Sequence, residues 1–281
     1  MTGACAVTVV VMTRDRGQQL CETLGKHPGP VIVVDNGSTD GTPDLVRRRF
    51  PGVELVELGE NRGAAARNVG VERARTPYVA FADDDSWWAP GALDLASCIL
   101  TRHPDLAVLA ARILVGPERR PDDVNQLMRD SPLGHEPGLP GPSVLGFLAC
   151  GAVVRRTAFL AAGGFDDLIH FMGEEELLAL DLASRGWALC YVPQVVAHHD
   201  PLPGRENAGR RMRAARNRVL TTVMRRPWPV VARQVAQELA RGPGERAGVV
   251  RAAAVLPQAL RRRRPLSATV EQRRRLLLDS A

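Results

Sequence analysis

Three consecutive carboxylates, Asp83, Asp84 and Asp85, stand in the stretch FADDDSWWAP, between the apolar run PYVAF and two of the chain's four tryptophans. One aspartate at this place reads as the cap of the helix begun by APGALDL. Three adjacent ones repel, and the run reads better as a cation cradle. Alternate residues can converge on a hard cation through oxygen ligands, and Mg2+ or Mn2+ there would neutralise the repulsion and bridge to phosphate. Asp83 and Asp85 are the pair that this spacing selects. Asp84 is the spacer, turned to solvent or capping the next helix.

Other segments carry chemistry of a compatible kind. In VVDNGSTDGT, Asp35 ends an apolar run and Asn36 opens a turn, Asn-Gly being a strong turn signal. A carboxylate so placed can accept hydrogen bonds from a nucleobase or ribose. A dinucleotide fold would carry GxGxxG after its first strand; the residues there are TRDRGQQ, which argues against NAD and FAD. In NRGAAARNVG, alanine and glycine let a helix begin close to a ligand. Arg62 and Arg67 then face a diphosphate, or else decorate a plain surface helix, and Asn68 braces the loops. Glu174, Glu175 and Glu176 open another helix, where its dipole stabilises acids and where a catalytic base would also suit. His198 and His199, at a strand end in AHHD, can complete a metal site.

Positioning these groups requires a sheet. AVTVVVM, PVIVVDNGS, VELVEL and PYVAFA read as strands, separated by helices in GQQLCETLGKH, in TPDLVRRRF with Pro43 in its first turn, and in GAAARNVGVERAR. This alternation predicts βαβ units and a mostly parallel sheet flanked by helices, an α/β fold. Ligands of such sheets bind beyond the carboxyl ends of the strands, which gathers MTRDR, DNGSTDG and DDDS on one edge. The Pro- and Gly-rich residues GPERRPDDVNQLMRDSPLGHEPGLPGPS read as a long loop or lid. A strand in LACGAVVRR and a short helix near TAFLAAGG follow. The helix in EEELLALDLASRGW offers Leu177, Leu178, Leu182 and Trp187 to the core, and two short strands flank Pro193. From Arg205 the pattern is helical, with Met212, Ala215, Val219 and Val223 on one face and arginines on the other. The end, RRRRPLSATVEQRRRLLLDSA, reads as loosely ordered.

Charge divides the 281-residue chain: residues 205–281 hold 19 arginines against five acids, leaving an acidic body within a total of +6. The five cysteines are scattered without a CxxC pair, so neither a disulfide framework nor a cysteine zinc site is indicated, and a cytoplasmic setting is expected.

Taken in order, VVVMTRDRGQQLCETL, VIVVDNGSTDGT, NRGAAARNVG, YVAFADDDSWWAPGAL, GGFDD with GEEELLALDLASRGW, and VPQVVAHH resemble glycosyltransferase family 2, of the Rossmann-like GT-A fold, over about residues 5–205. The resemblance implies a GT-A domain over 1–204, with a nucleotide-binding half (1–85) and an acceptor half (86–204), followed by the basic helical extension 205–281. It implies a UDP-, GDP- or dTDP-sugar donor, a hydroxyl acceptor (glycan, lipid-linked or small molecule), a divalent cation (Mn2+ or Mg2+) and inverting single displacement. Thr13 and Asp15 then approach the nucleotide with Asn36, and Asp35 binds the base. Asp83-Asp84-Asp85 is the DXD motif at ribose and metal, with Asp85 the metal ligand. His198 joins the metal, with His199 close enough to exchange roles. The family usually opens the base-bearing helix with Glu-Asp; Glu-Glu-Glu here puts Glu175 in the aspartate's place, with Glu174 the neighbouring choice. Trp87 and Trp88 stack on a sugar or lie buried under the acceptor loop.

Two rival readings differ in class. One is a binder of phosphate-rich surfaces through the arginine-rich region, an anionic membrane being the partner expected and nucleic acid not, since no zinc-finger or aromatic-interleaved pattern accompanies the arginines. The other is a nucleotidyltransferase, which would need a glycine-rich loop with a basic residue where MTRDRGQQ stands.

Overall fold

A computed structural model of the chain describes residues 6–201 and 208–279. β-Branched runs make the strands: β1 (Val7–Thr13), β2 (Val31–Asp35), β3 (Glu54–Glu57) and β4 (Tyr78–Asp83) pair in parallel, in the order β3-β2-β1-β4. The helices between them are α1 (Gly17–Leu24), α2 (Thr42–Arg49) and α3 (Ala66–Arg73), the last entered through a 3-10 turn at Gly63–Ala65. The second half adds β5 (Ser86–Trp88), α4 (Ala92–Arg102), β6 (Leu106–Val115), β7 (Arg120–Pro121) and α5 (Asp123–Arg129). It continues with β8 (Ala152–Arg155), α6 (Arg156–Ala162), α7 (Glu174–Ser184) and β9 (Ala188–His199).

The sheet runs on from β4 as β8-β6-β9-β5, with β7 on β6. Strand β8 is antiparallel to both its neighbours, and β9 is parallel to β6. Thus β1, β2, β3, β4, β6 and β9 share one direction, and the sheet is mostly parallel. Period-2 alternation gives each face its own core. Val9 and Val11 pack with Leu20, Val46 and Leu93 of α1, α2 and α4. Val10 and Phe81 pack with Val71, Phe159 and Leu178 of α3, α6 and α7. Fully burying each such side chain contributes roughly 1.5–3 kcal/mol.

Three regions differ from the sequence reading. Strand β6 was not foreseen, because a continuous apolar run such as LAVLAARILV does not declare its period. The residues around Pro193 form one strand rather than two; its register on β6 jumps from Ala111↔Val192 to Arg112↔Val196, so 193–195 bulge where proline lacks a donor. The expected lid contains α5, pinned to β6 by Asn125, whose amide bonds the Ile113 N–H (2.9 Å) and carbonyl (2.7 Å).

The C-terminal residues form α8 (Ala208–Arg225), α9 (Trp228–Arg241), α10 (Pro243–Ala254), α11 (Leu256–Arg261) and α12 (Ala268–Asp279). Leu220, Val223 and Met224 share a third apolar cluster with Leu168, Ile169 and Leu177 of the body. Arg225 pairs with Asp181, Arg274 with Glu176, and buried Arg226 with Glu271. The end of the chain, expected to be loosely ordered, is therefore a helix held at both the body and α8. The expected boundary at 204/205 and Cys5 lie outside the described residues; Cys21, Cys98, Cys150 and Cys190 are free thiols.

Candidate active site

Parallel register sets the first row of the site. Thr13 lies beside Asp35, and Met12 beside Asp83, so the ends of β1, β2 and β4 meet at one edge. Asp35 is buried; one carboxylate oxygen accepts the Ser38 N–H (3.0 Å), and the other is buried without a partner. An orphaned acceptor of this kind costs about 1–3 kcal/mol until a donor arrives, so it marks a ligand position. Asn36 is a brace: its amide donates to the Gly63 carbonyl (3.1 Å) and accepts from the Arg62 N–H (2.8 Å). Asp15, at φ 51°, accepts from the Thr39 N–H (2.7 Å) and so ties the loops after β1 and β2 together.

The three aspartates diverge. Asp84 is not a solvent-facing spacer. It is buried, accepting from Thr13 Oγ1 (3.2 Å) and Arg16 (2.9 Å), because its side chain turns toward α1. Burial pushes its pKa up to about 6, with the charge of Asp85 adding to the rise and Arg16 opposing it. Arg16, which sequence reasoning missed, also reaches Asp85 (3.2 Å), and one guanidinium thus bridges both acids. Its only sequence signal is a basic residue directly after the first strand. Asp85 turns its second oxygen, buried and without a hydrogen bond, toward His199 Nε2 at 3.4 Å.

That contact distinguishes His199 from His198, the residue expected at the metal. Successive strand residues face opposite sides, and β5 pairs antiparallel with β9, setting Ser86 beside His199 and Trp87 beside His198. His199 therefore meets Asp85, and His198 stacks on Trp87 (5.1 Å between ring centroids). Burial works against a charged His199, but the approach and charge of Asp85 outweigh it and raise its pKa above the ordinary value. The His198 pKa is lowered by burial and then by Arg119 and Lys26. Lys26 also lies 3.8 Å from the Trp87 ring, and Trp88 is buried, donating to the Phe81 carbonyl (3.2 Å). Both tryptophans thus build structure rather than an open sugar platform.

The two arginines of NRGAAARNVG, expected to face a diphosphate or to decorate a surface helix, have different surroundings. Arg62 is exposed, bonds Glu60 (3.0 Å) and lines a separate cavity with Asn68 and His170. Arg67 is buried and lies between Asp83, to which it donates, and Glu174, 3.7 Å away. Desolvation works against its charge, yet Asp83 and Glu174 outweigh that and raise its pKa.

Of the three glutamates, Glu176 is drawn off by Arg274 (2.6 Å). Glu174 is buried, with one oxygen unpartnered; burial and the charge of Glu175 push its pKa up to about 8. Glu175 is partly buried and accepts from the Ala149 N–H (3.3 Å), and burial raises its pKa too. The Cys150 thiol is buried, and burial, then the charges of Asp83, Asp85 and Glu175, raise its pKa well above the ordinary value.

Among the described residues no group of three or more His, Cys, Asp or Glu forms a ready-made metal cage. The orphaned Asp85 oxygen beside an imidazole nitrogen nevertheless fits a hard cation that takes one or two protein ligands and completes its shell with substrate phosphate.

An acid-edged parallel sheet with a carboxylate pair opposite defines a glycosyltransferase of the GT-A fold. Residues 11–161 match the family model for glycosyl transferase family 2, and the chain belongs to that family. It is 30% identical over 235 residues to the N-acetylglucosaminyl-diphospho-decaprenol L-rhamnosyltransferase of Mycobacterium tuberculosis, covering 68% of this chain and 75% of the relative. The fold is shared with the mannosyltransferase PcManGT of Pyrobaculum calidifontis, solved with GDP-Man and Mn2+ (TM-score 0.60, 24% identity, 100% of this chain and 77% of that one). It is also shared with S. aureus TarS 1-349 in complex with UDP-GlcNAc (TM-score 0.60, 17% identity, 90% and 81%).

Proposed function

We propose that this glycosyltransferase moves a sugar, with inversion, from a nucleoside-diphosphate donor to an acceptor hydroxyl, and that it depends on a divalent cation, Mn2+ or Mg2+. The observation that carries the reading is the acidic sheet edge, with its unpartnered Asp35 oxygen and its Asp85–His199 contact, joined through Asp83 and Arg67 to Glu174 of α7. Residues 1–85 hold the donor and 86–204 the acceptor, and helices α8–α12 form a layer packed on this body.

In this reading Asp35 accepts from the base, Asp83 from the ribose, and Asp85 with His199 holds the cation. When bound, the cation supplies positive charge against the departing nucleoside diphosphate. Glu175, the more exposed of its pair, takes the proton of the acceptor hydroxyl as that oxygen attacks the anomeric carbon. Glu174 sits behind it; burial, and then the charge of Glu175, push its pKa up to about 8, and burial raises that of Glu175 as well. Arg67 holds Asp83 and Glu174 in one electrostatic unit.

A panel of UDP-, GDP- and dTDP-sugars, turned over with Mn2+ or Mg2+ and then with EDTA, tests this. Donor turnover that survives EDTA or Asp85→Asn would sink the cation's part, and full transfer by Glu175→Gln the base's.

No described helix is long and apolar enough to cross a membrane. We infer a cytoplasmic enzyme that rests on an anionic membrane face, supported by exposed Trp228, Leu239, Val250 and Leu260 among the arginines of α9–α11. Co-sedimentation with phosphatidylglycerol vesicles checks it, and absence of binding at low salt would refute it.

A further inference from the structure

Helices α8 and α10 cross unusually closely at Gly248. A Cβ there would lie 2.5 Å from the Met212 carbonyl oxygen and 2.9 Å from the Arg216 nitrogen. One turn further along α10 is Arg251, whose charge acts on half-buried Arg216, and both line a cavity of about 530 Å3 with Arg213 and Arg262. Other arginines near the cavity have carboxylates: Arg218 and Arg241 share Glu238, Arg211 reaches Glu245, and Arg262 holds Asp166 and Asp167. Arg213, Arg216 and Arg251 have none among the described residues. Arg216 is instead aimed by neutral groups, donating to the Leu168 carbonyl (2.9 Å) and to Asn217 (2.7 Å). Burial, and then Arg251, lower the Arg216 pKa, so the folded chain holds these like charges together at a cost that an anion would relieve. Among the described residues Asp167 is the only carboxylate lining the cavity, and Arg262 already neutralises it. The walls also include apolar Phe171, Met212 and Val255.

The cavity has a defined relation to the proposed base. Its floor is the segment 167–171, which runs directly into Glu174. Asn217 grips that segment, donating to the Phe171 and Met172 carbonyls (both 2.8 Å), and His170 and Met172 are held at φ 60° and 78°. Three residues span at most about 11 Å, so the chemistry at Glu174 and Glu175 lies within reach of a group seated here. None of Thr13, Asp35 or Asp83–Asp85 lines the cavity, so it is not the donor's diphosphate site.

We propose that this cavity binds the phosphate or diphosphate group of the acceptor, Arg213, Arg216 and Arg251 holding the anion and the apolar wall holding what the phosphate is attached to. The proposal rests on Glu175 and its neighbour being the base end of a transferase site. Two sources supply such a group: a soluble sugar phosphate, or a sugar diphosphate borne on a polyprenyl chain.

The test titrates inorganic pyrophosphate into the full chain by calorimetry, in EDTA so that no cation supports binding at the donor site. Saturable binding is expected, weakened roughly tenfold or more in R213Q/R251Q, as loss of charge-assisted hydrogen bonds implies. R233Q, which removes an exposed charge from α9, should bind as the unaltered chain does. No saturable binding, or equal weakening in R233Q, overturns the site. Flotation with phosphatidylcholine vesicles carrying either polyprenyl diphosphate or phosphatidylglycerol then separates the sources. Preferential capture by the former, lost in R213Q/R251Q, assigns a lipid-borne acceptor. Pyrophosphate binding with capture by neither assigns a soluble one. Equal capture by both, unaffected by the substitutions, reduces the cavity to diffuse surface charge and refutes it. Donor turnover, measured alongside, keeps the two readings apart: pyrophosphate binding without turnover of any donor sinks the transferase roles, and turnover without pyrophosphate binding sinks this site alone.

Discussion

His199 Nε2 stands 3.4 Å from Asp85 Oδ1, while its neighbour His198 lies on the other side of the strand against Trp87. Two adjacent imidazoles therefore have separate surroundings, and the proposed cation role of His199 can be tested against His198. His199→Ala should weaken Mn2+ activation by roughly 10- to 100-fold, the range seen when groups orienting a metal site are removed. His198→Ala should act on thermal stability and leave the Mn2+ dependence of the rate in place. Rate against Mn2+ concentration for both variants decides it, and equal shifts in the two would refute the assignment.

Arg16 supplies the positive charge between Asp84 and Asp85. A divalent cation at Asp85 competes with that guanidinium. Arg16→Gln should therefore bind Mn2+ more tightly and show a larger rise in melting temperature on adding it. Weaker Mn2+ binding would mean that Arg16 assists the cation rather than standing in for it.

Removing the charge of Arg67 leaves Asp83 and buried Glu174 uncompensated. Breaking a buried pair in this way costs about 3–5 kcal/mol, and urea unfolding of Arg67→Met should show a loss of that order. Arg67→Met/Glu174→Gln should recover part of it; no recovery would break the proposed link between the two residues.

Glu174 has its pKa raised to about 8 from an ordinary 4.5, so the folded chain binds this proton more tightly than the unfolded chain. The sign follows from linkage: its contribution favours folding below pH 4.5 and is lost as pH climbs toward 8. Glu174→Gln should thus be more stable than the unaltered protein at pH 8, by a margin that shrinks toward pH 5. Melting temperatures across that range measure it. In parallel, transfer by the unaltered enzyme should rise with pH as the pair deprotonates, and a flat profile from pH 6 to 9 would exclude the pair as the base.

Much of this was legible in the residues themselves. Continuous β-branched runs declared β1, β2 and β4, and parallel strands bring their carboxyl ends to one edge whatever their distance in sequence. The placing of Asp35 and Asp83 at that edge followed from this alignment of strands. What stayed hidden depends on partners. Asp84 looked like a spacer until Thr13 and Arg16 closed over it. Arg67 looked exposed because an alanine-rich helix carries no sign of which face is buried. The histidine parity depends on how β5 pairs with β9, which AHHD cannot state. The C-terminal arginines read as one basic surface, yet Arg225 and Arg274 find Asp181 and Glu176 far upstream, while Arg213, Arg216 and Arg251 gather at one cavity.

The family match ends at residue 161, whereas the glutamates, the segment gripped by Asn217 and the histidine at Asp85 all lie beyond it. The portion that the family model matches carries the acidic edge of the sheet, while the residues beyond it carry the segment 167–171, Glu174, Glu175 and the basic cavity. Grafting residues 162–281 onto a relative's first half would be expected to carry acceptor choice across and leave donor choice behind.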